Sequence, residues 1–406
     1  MSSPAGFRDV FAVGEFRALW TSMVVSAGGD MLARVALSVL VFTRTRSPGL
    51  TGFALALTFL PHLVGGPLLS GLADRFPRRT IMLTCVIVRA VVIAVVAIPA
   101  LPIPLILAAV ALAELAAPPF SSALSALMPE VFDDEPAYVT ASGIFNASFE
   151  VAQVIGFGVG GGLVALLGVH VAFAVDAATF AVAAVLIAAF IRRRPATMGN
   201  TDRPNLWGQL AAGVQVVFGD AWLRRLVLLA WLAAFLIAPE ALAAPVAAGY
   251  GAGPLAVGLL LAAMPIGTAV AALVVVRVVA PDRRGAIVGP LALVSGLPLL
   301  ACLAHPPLVL VWILWTATGA LTSYSLLANT CFAVGVPAAH RGQAFGLAQA
   351  GLIAVQGIGL WVSGLVADHL SSLTVVGLAG GITIAAAALI LLVPARQPAI
   401  AAADPA

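Results

Sequence analysis

The chain has 406 residues, 62% of them hydrophobic and 9% charged, with a mean hydropathy of +1.11. A soluble domain carries about 25% charged residues, and a disordered chain combines low hydrophobicity with high net charge, so a water-soluble enzyme and a disordered chain are both excluded. The net charge of +3, with arginine as every basic residue, reads as loop charge that sets membrane orientation and not as the footprint of a nucleic-acid partner.

Apolar runs separated by polar breaks, at about 20 residues per span, predict twelve transmembrane helices in chain order. The first six are helix one (Phe16 to Phe42), two (Leu50 to Leu72), three (Thr80 to Ile98), four (Ile103 to Leu127), five (Ala137 to Leu167) and six (Val169 to Ile191). The second six are helix seven (Leu223 to Tyr250), eight (Pro254 to Arg277), nine (Gly285 to Leu303), ten (Leu308 to Ala333), eleven (Gly342 to Leu365) and twelve (Leu373 to Val393). The longest polar break opens on Arg192-Arg193-Arg194 and divides the chain into an N-terminal six-helix half (1–191), a cytoplasmic linker (192–222), a C-terminal half (223–394) and a short tail (395–406). Cys85, Cys302 and Cys331 lie in or beside apolar runs without CxxC or Cys/His spacing, so neither a disulfide framework nor a metal site is expected.

Orientation follows from the arginines. With the amino terminus inside, every arginine except Arg34, Arg44, Arg46 and Arg89 falls on cytoplasmic segments, which predicts cytoplasmic termini and an even number of spans. Arg8, Asp9, Glu15 and Arg17 precede the first apolar run, so no cleavable signal is expected there. An internal repeat supports the two halves. Pro48, Gly52 and Ala56 recur as Pro254, Gly258 and Ala262, Asp74-Arg75 as Asp282-Arg283, Pro129 as Pro337, and Gly162-Leu163-Val164-Ala165 as Gly364-Leu365-Val366-Ala367, at offsets of 202 to 208. Two six-helix halves in parallel repeat resemble the pattern of major facilitator transporters, which implies a substrate site where the halves meet.

The stretch SGLADRFPRR from Ser70 to Arg79 resembles the loop signature between helices two and three of the major facilitator superfamily, with Ser70 and Pro77 where glycines are usual. The opening FRALWTSMVVSAGGDMLARVALSVLVF, Leu127-Met128-Pro129-Glu130 before helix five, FAVDAATF around Asp176 and Arg341-Gly342 before helix eleven extend the resemblance to the enterobactin-exporter-like and multidrug-exporter branch. Gly156, Gly158, Gly160, Gly161 and Gly162 are similar to the helix-five motif of drug/proton antiporters, with Phe157 where its proline would fall; close helix packing is the other reading of these glycines. The resemblance implies an all-α integral membrane fold in which helices one, four, seven and ten line the cavity, two, five, eight and eleven flank it, and three, six, nine and twelve lie outside. Arg89 and Asp176, on helices three and six, are therefore expected to be structural.

Ionisable residues inside spans are functional candidates. Asp30 and Arg34 stand at i, i+4 on one face of helix one and are expected to interact, either as a static pair or as part of the site. Glu114 on helix four has no basic neighbour within a turn and is the first choice for proton coupling, with Asp30 and Glu150 behind it. Asn146, Glu150 and Gln153 form a polar stripe on helix five, and Gln349 and Gln356 form one on helix eleven; these stripes face a shared cavity or act as packing glue. Arg34, Glu240 near the outer end of helix seven, and Tyr324 and Asn329 on helix ten complete the cavity candidates. In the loop motif Asp74 is expected at the start of helix eleven, where the positive helix end attracts an anion, and Arg75, Arg78 and Arg79 are expected to pair with Glu130, Asp133, Asp134 and Glu135, latching the cytoplasmic side.

These readings lead to a monomeric, proton-coupled exporter of small amphipathic organic compounds in a bacterial cell membrane, not an enzyme. It is driven by the proton gradient without a cofactor, since no nucleotide-binding loop is present. Its partners are a small-molecule substrate, protons and the lipid bilayer. Alternatives are a dedicated siderophore or lysolipid transporter on the same fold and a non-transporting receptor.

Overall fold

The computed structural model describes residues 6–69, 75–132, 134–194, 206–280, 283–337 and 340–395. Among them, twelve helices are long and apolar enough to cross a membrane: Gly14–Thr45, Pro48–Gly66, Arg78–Val96, Ile103–Val131, Glu135–Leu167, Val169–Phe190, Ala221–Gly249, Pro254–Val275, Arg284–Ala304, Leu308–Gly335, Arg341–Ala367 and Ser372–Leu392. They match helices one to twelve of the sequence. The side on which helix one begins is the near face below, and the opposite side is the far face.

Polar residues set the helix ends. The Ser47 hydroxyl accepts from Leu50 N with Pro48 in the first turn of helix two, and the carboxylates of Asp134 and Asp220 accept from the first free amides of helices five and seven. Helices five and six are joined by Gly168 alone at φ +86°, a conformation that suits glycine.

Five spans are broken. Helix two turns at 57–59, helix four at Ala116, helix seven at Leu232 and Ile237, helix nine at 295–296 and helix ten at 322–323. Four breaks directly precede Pro61, Pro118-Pro119, Pro239 and Pro298, which lack the amide that would continue the ladder. In helix ten the competitor is a hydroxyl: Thr322 Oγ1 donates to Gly319 O at 2.7 Å.

The expected linker is not wholly irregular, because Leu206–Gly219 forms a helix whose Gly213 lies against Gln343 of helix eleven. Helix one packs on helices five and six and helix three on six, while helix eight packs on ten and helix nine on twelve. Helix five packs on eight and helix two on eleven, joining the first six spans to the last six. Helices one and seven are the most enclosed.

Candidate functional site

Side chains of the enclosed helices one and seven meet others from helices two to five and eleven around a central cavity of about 620 Å³. It extends to Met23, Leu124 and Phe145, which lie toward the near face. A second cavity of about 300 Å³ adjoins it among helices five, seven, eight and ten.

The charged side chains of the larger cavity are paired differently from the expectation. Asp30 does not bond Arg34; its Oδ1 accepts from Arg89 of helix three at 2.8 Å, and Glu114 Oε1 accepts from the same guanidinium nitrogen at 3.4 Å. Glu114 is thus not an unpaired carboxyl, and Arg89 is not remote from the cavity. Its side chain is long enough to cross from a peripheral helix, and the ring of Phe180 lies 4.3 Å from its guanidinium carbon. Arg34 instead donates to Glu240 Oε1 at 3.1 Å and lies over Phe59 at 5.0 Å. Glu240 stands in the first turn after the Ile237 break, where the interruption turns it into the cavity. Sequence spacing finds neighbours on one helix, and it is blind to partners from another.

Gln153 and Gln356 line both cavities, Gln349 lines the larger and Glu150 the smaller. Asn146 is exposed and lines neither. Tyr324 borders the smaller cavity but is buried, its hydroxyl donating to Leu229 O at 3.0 Å. Asn329 belongs to a third cavity of about 240 Å³ between helices seven, ten and eleven, which Gln349 and Gln356 also reach. Asp176 is buried against Gly29 of helix one, where an added Cβ would lie 2.5 Å from its Oδ1. His62, just after the Pro61 break, lines the larger cavity and was not singled out in the sequence; its Nδ1 is buried without a hydrogen-bond partner among the described residues.

At the near face, Asp74 and Asp133 lie outside the described residues, so the expected contact with helix eleven does too. Arg75 is exposed. Arg78 pairs with Glu130. Arg79 departs from expectation by donating to the backbone oxygens of Ile187 and Ala188, at the negative end of helix six. Asp134 is occupied in capping helix five through Ala137 N at 3.1 Å. A residue that sequence reasoning placed only in a linker, Arg194, forms two bonds to Glu15 at 2.9 and 2.7 Å and reaches Glu130 at 3.7 Å. The Glu15 bonds push the pKa of Arg194 up, against the effect of burial.

At the far face the spans close on glycines. A Cβ on Gly52 would lie 2.5 Å from Leu360 O, and one on Gly364 would lie 2.5 Å from Pro48 O. Helices five and eight meet likewise, where a Cβ on Gly258 would lie 2.5 Å from Gly161 Cα. Asp368 Oδ1, past the end of helix eleven, accepts from Ser47 Oγ and Gly49 N, both at 3.0 Å. These contacts lie on the far side of the central cavity, which extends toward the near face. Among the described residues no group of three or more His, Cys, Asp or Glu is placed to hold a metal ion.

The profile of the Major Facilitator Superfamily matches residues 19–244. An uncharacterised MFS-type transporter, YfiS, of Bacillus subtilis (strain 168) is 29% identical over 215 residues, 52% of this chain and 49% of that protein. The chain therefore spans about half the length of that curated relative in the match. Among solved structures, the nucleoside transporter NupG superposes with a TM-score of 0.71 at 15% identity, over 92% of this chain and 98% of that one. A POT family transporter in complex with 5-aminolevulinic acid superposes with a TM-score of 0.72 at 12% identity, over 95% and 96%. Those identities carry the fold alone. With twelve apolar spans around a polar central cavity and a profile match across more than half its length, the chain belongs to the major facilitator superfamily of membrane transporters.

Proposed function

We propose that this protein is a proton-coupled secondary transporter that exports small amphipathic organic compounds across a bacterial plasma membrane by alternating access. In this reading it works as a monomer with cytoplasmic termini, so the near face is the cytoplasmic one, and residues 1–191 and 223–394 rock as two six-helix halves. The observation that carries the reading is the sharing of one guanidinium, Arg89, between Asp30 and Glu114 in the wall of the larger cavity.

Arginine keeps its proton under all relevant conditions, so the carboxylates are where the charge of the cluster can change. Asp30 and Glu114 against Arg89 leave that trio with a single excess negative charge in the cavity wall. A proton neutralises it, and so does the cationic group of a substrate. Two cations competing for one charge bind alternately, and alternate binding on opposite sides of the membrane is antiport. When one carboxylate takes the proton, Arg89 is free to pair wholly with the other, and the change is passed among helices one, three and four. Gln153, Gln349 and Gln356 supply neutral hydrogen-bonding groups to the rest of the substrate. In the same proposal Asp74 and Arg75 are the candidates for the cytoplasmic latch, while Arg78 and Arg79, held by Glu130 and by the end of helix six within the first six spans, brace that face.

The test is accumulation of a fluorescent lipophilic cation in proteoliposomes with an acidic interior. The expected result is gradient-driven accumulation that is lost in Glu114→Gln and in Arg89→Gln. Accumulation that ignores the gradient, or a Glu114→Gln variant that behaves as the wild type, refutes the coupling.

A further inference from the structure

The ion pair between Arg34 of helix one and Glu240 of helix seven stands in the partition between the two central cavities. Both residues line the cavity of about 620 Å³ and the one of about 300 Å³, together with Gln153, Ile237 and Gln356. The pair is held by one contact of 3.1 Å, and the two side chains keep 21% and 20% of their exposure. Among the described residues neither side chain makes another hydrogen bond, so Glu240 Oε2 and most of the guanidinium donors of Arg34 are unused. A pair built for cohesion looks different in this same molecule: Arg194 grips both oxygens of Glu15 at 2.9 and 2.7 Å, and Glu15 is 11% exposed.

We propose that Arg34 and Glu240 are the two prongs of a binding site for a small zwitterion, with its carboxylate on Arg34 and its ammonium on Glu240. The proposal rests on the reading of these cavities as the substrate site. Its ground is the bookkeeping of charge. Separating the pair within the protein leaves two poorly solvated charges without partners, which is strongly unfavourable. A cationic ligand satisfies Glu240 and strands Arg34; an anionic ligand does the reverse. A ligand with both groups replaces the lost partner on both sides, and discrimination that works by stranding buried polar groups is far steeper than discrimination by size. The apolar part of such a ligand has Leu260, Leu261 and Met264 of the smaller cavity to rest on. Because the pair stands in the partition, opening it joins the cavities into a space within the range of small-molecule sites.

The experiment is thermal unfolding of the purified full chain in detergent with two matched sets of probes: phenylalanine, phenethylamine and 3-phenylpropionate, and tryptophan, tryptamine and indole-3-propionate. Protection rises with ligand concentration relative to its dissociation constant. The expected result is that, in at least one set, the zwitterion binds at least about tenfold more tightly than either singly charged relative, a step of 1.4 kcal/mol. In the variant carrying both Arg34→Gln and Glu240→Gln, whose side chains can still hydrogen-bond each other, that preference disappears, while amine binding at Asp30 and Glu114 remains. The proposal is overturned if an amine protects as well as its zwitterion, if no probe protects, or if the double variant keeps the preference. The wild-type comparison decides even where the variant fails to fold. Since binding is read without a gradient, absence of a zwitterion preference in the wild type alongside intact gradient-driven cation uptake overturns this site alone. The converse result overturns the coupling and leaves the site standing.

Discussion

Replacing Gly258 by alanine is expected to shift the protein away from the conformation closed at the far face. The new methyl carbon would lie 2.5 Å from Gly161 Cα, 2.5 Å from Phe157 O and 2.7 Å from Gly161 N. All three are backbone atoms of helix five, so no side chain can rotate aside, and helices five and eight must separate by about 1 Å to restore ordinary contact. Overpacking of this kind costs about 1–3 kcal/mol. In a protein that alternates, the strain falls on the closed state alone and changes the ratio of closed to open by about 5- to 150-fold. The measurement is the distance distribution between spin labels at Leu166→Cys and Leu255→Cys, on exposed positions near the far ends of these helices, with the native cysteines replaced. Gly162→Ala is the control, since an added Cβ there meets nothing within 4 Å. The expected outcome is a population at longer distance in Gly258→Ala and none in Gly162→Ala. Equal distributions in the two variants would refute the idea that this contact is a closure point. So would a lower melting temperature for Gly258→Ala with an unchanged distribution.

Gly267→Ala makes a contrasting prediction, because its Cβ would lie 1.9 Å from Thr316 O in the contact between helices eight and ten, within the last six spans. It should destabilise every conformation by about 1–3 kcal/mol, seen as a lower melting temperature with the spin-label distances unchanged. Asp368→Ala removes the acceptor of Ser47 Oγ and Gly49 N, a loss of about 1 kcal/mol, and is expected to raise the labelling rate of a cysteine at Ser47 several-fold over the same cysteine with Asp368 intact.

The number, order and approximate ends of the spans were legible because hydropathy counts what a bilayer demands. The breaks at 57–59, Ala116, Ile237 and 295–296 were written in Pro61, Pro118, Pro239 and Pro298, yet an apolar run passes over a proline without interruption. The break in helix ten rests on Thr322, which no count of apolar residues reveals. At the site, Asp30, Arg34, Glu114 and Glu240 were found because charge within a span is conspicuous. Their pairing was not, since i, i+4 spacing joins Asp30 to Arg34 whereas the fold gives them to Arg89 and Glu240. Arg89 was set aside on the assumption that a peripheral helix has no access to the centre, and the reach of a guanidinium overrules that. The repeat was more informative than it looked: Gly52 and Gly258 match each other in sequence, and each seats against another helix, Gly52 at Gly364 and Gly258 at Gly161.

Two of the connections at the far face are very short. At the far face Gly168 alone joins helices five and six, and two residues, Arg46 and Ser47, separate helices one and two. On the near face the connection from helix six to helix seven runs from Ile191 to Asp220 and carries a helix of its own. These two far connections, of one and two residues, leave the helices they join no room to separate at that face. An extra residue beside Gly168 should therefore disturb the protein far more than a whole peptide tag placed between helices six and seven.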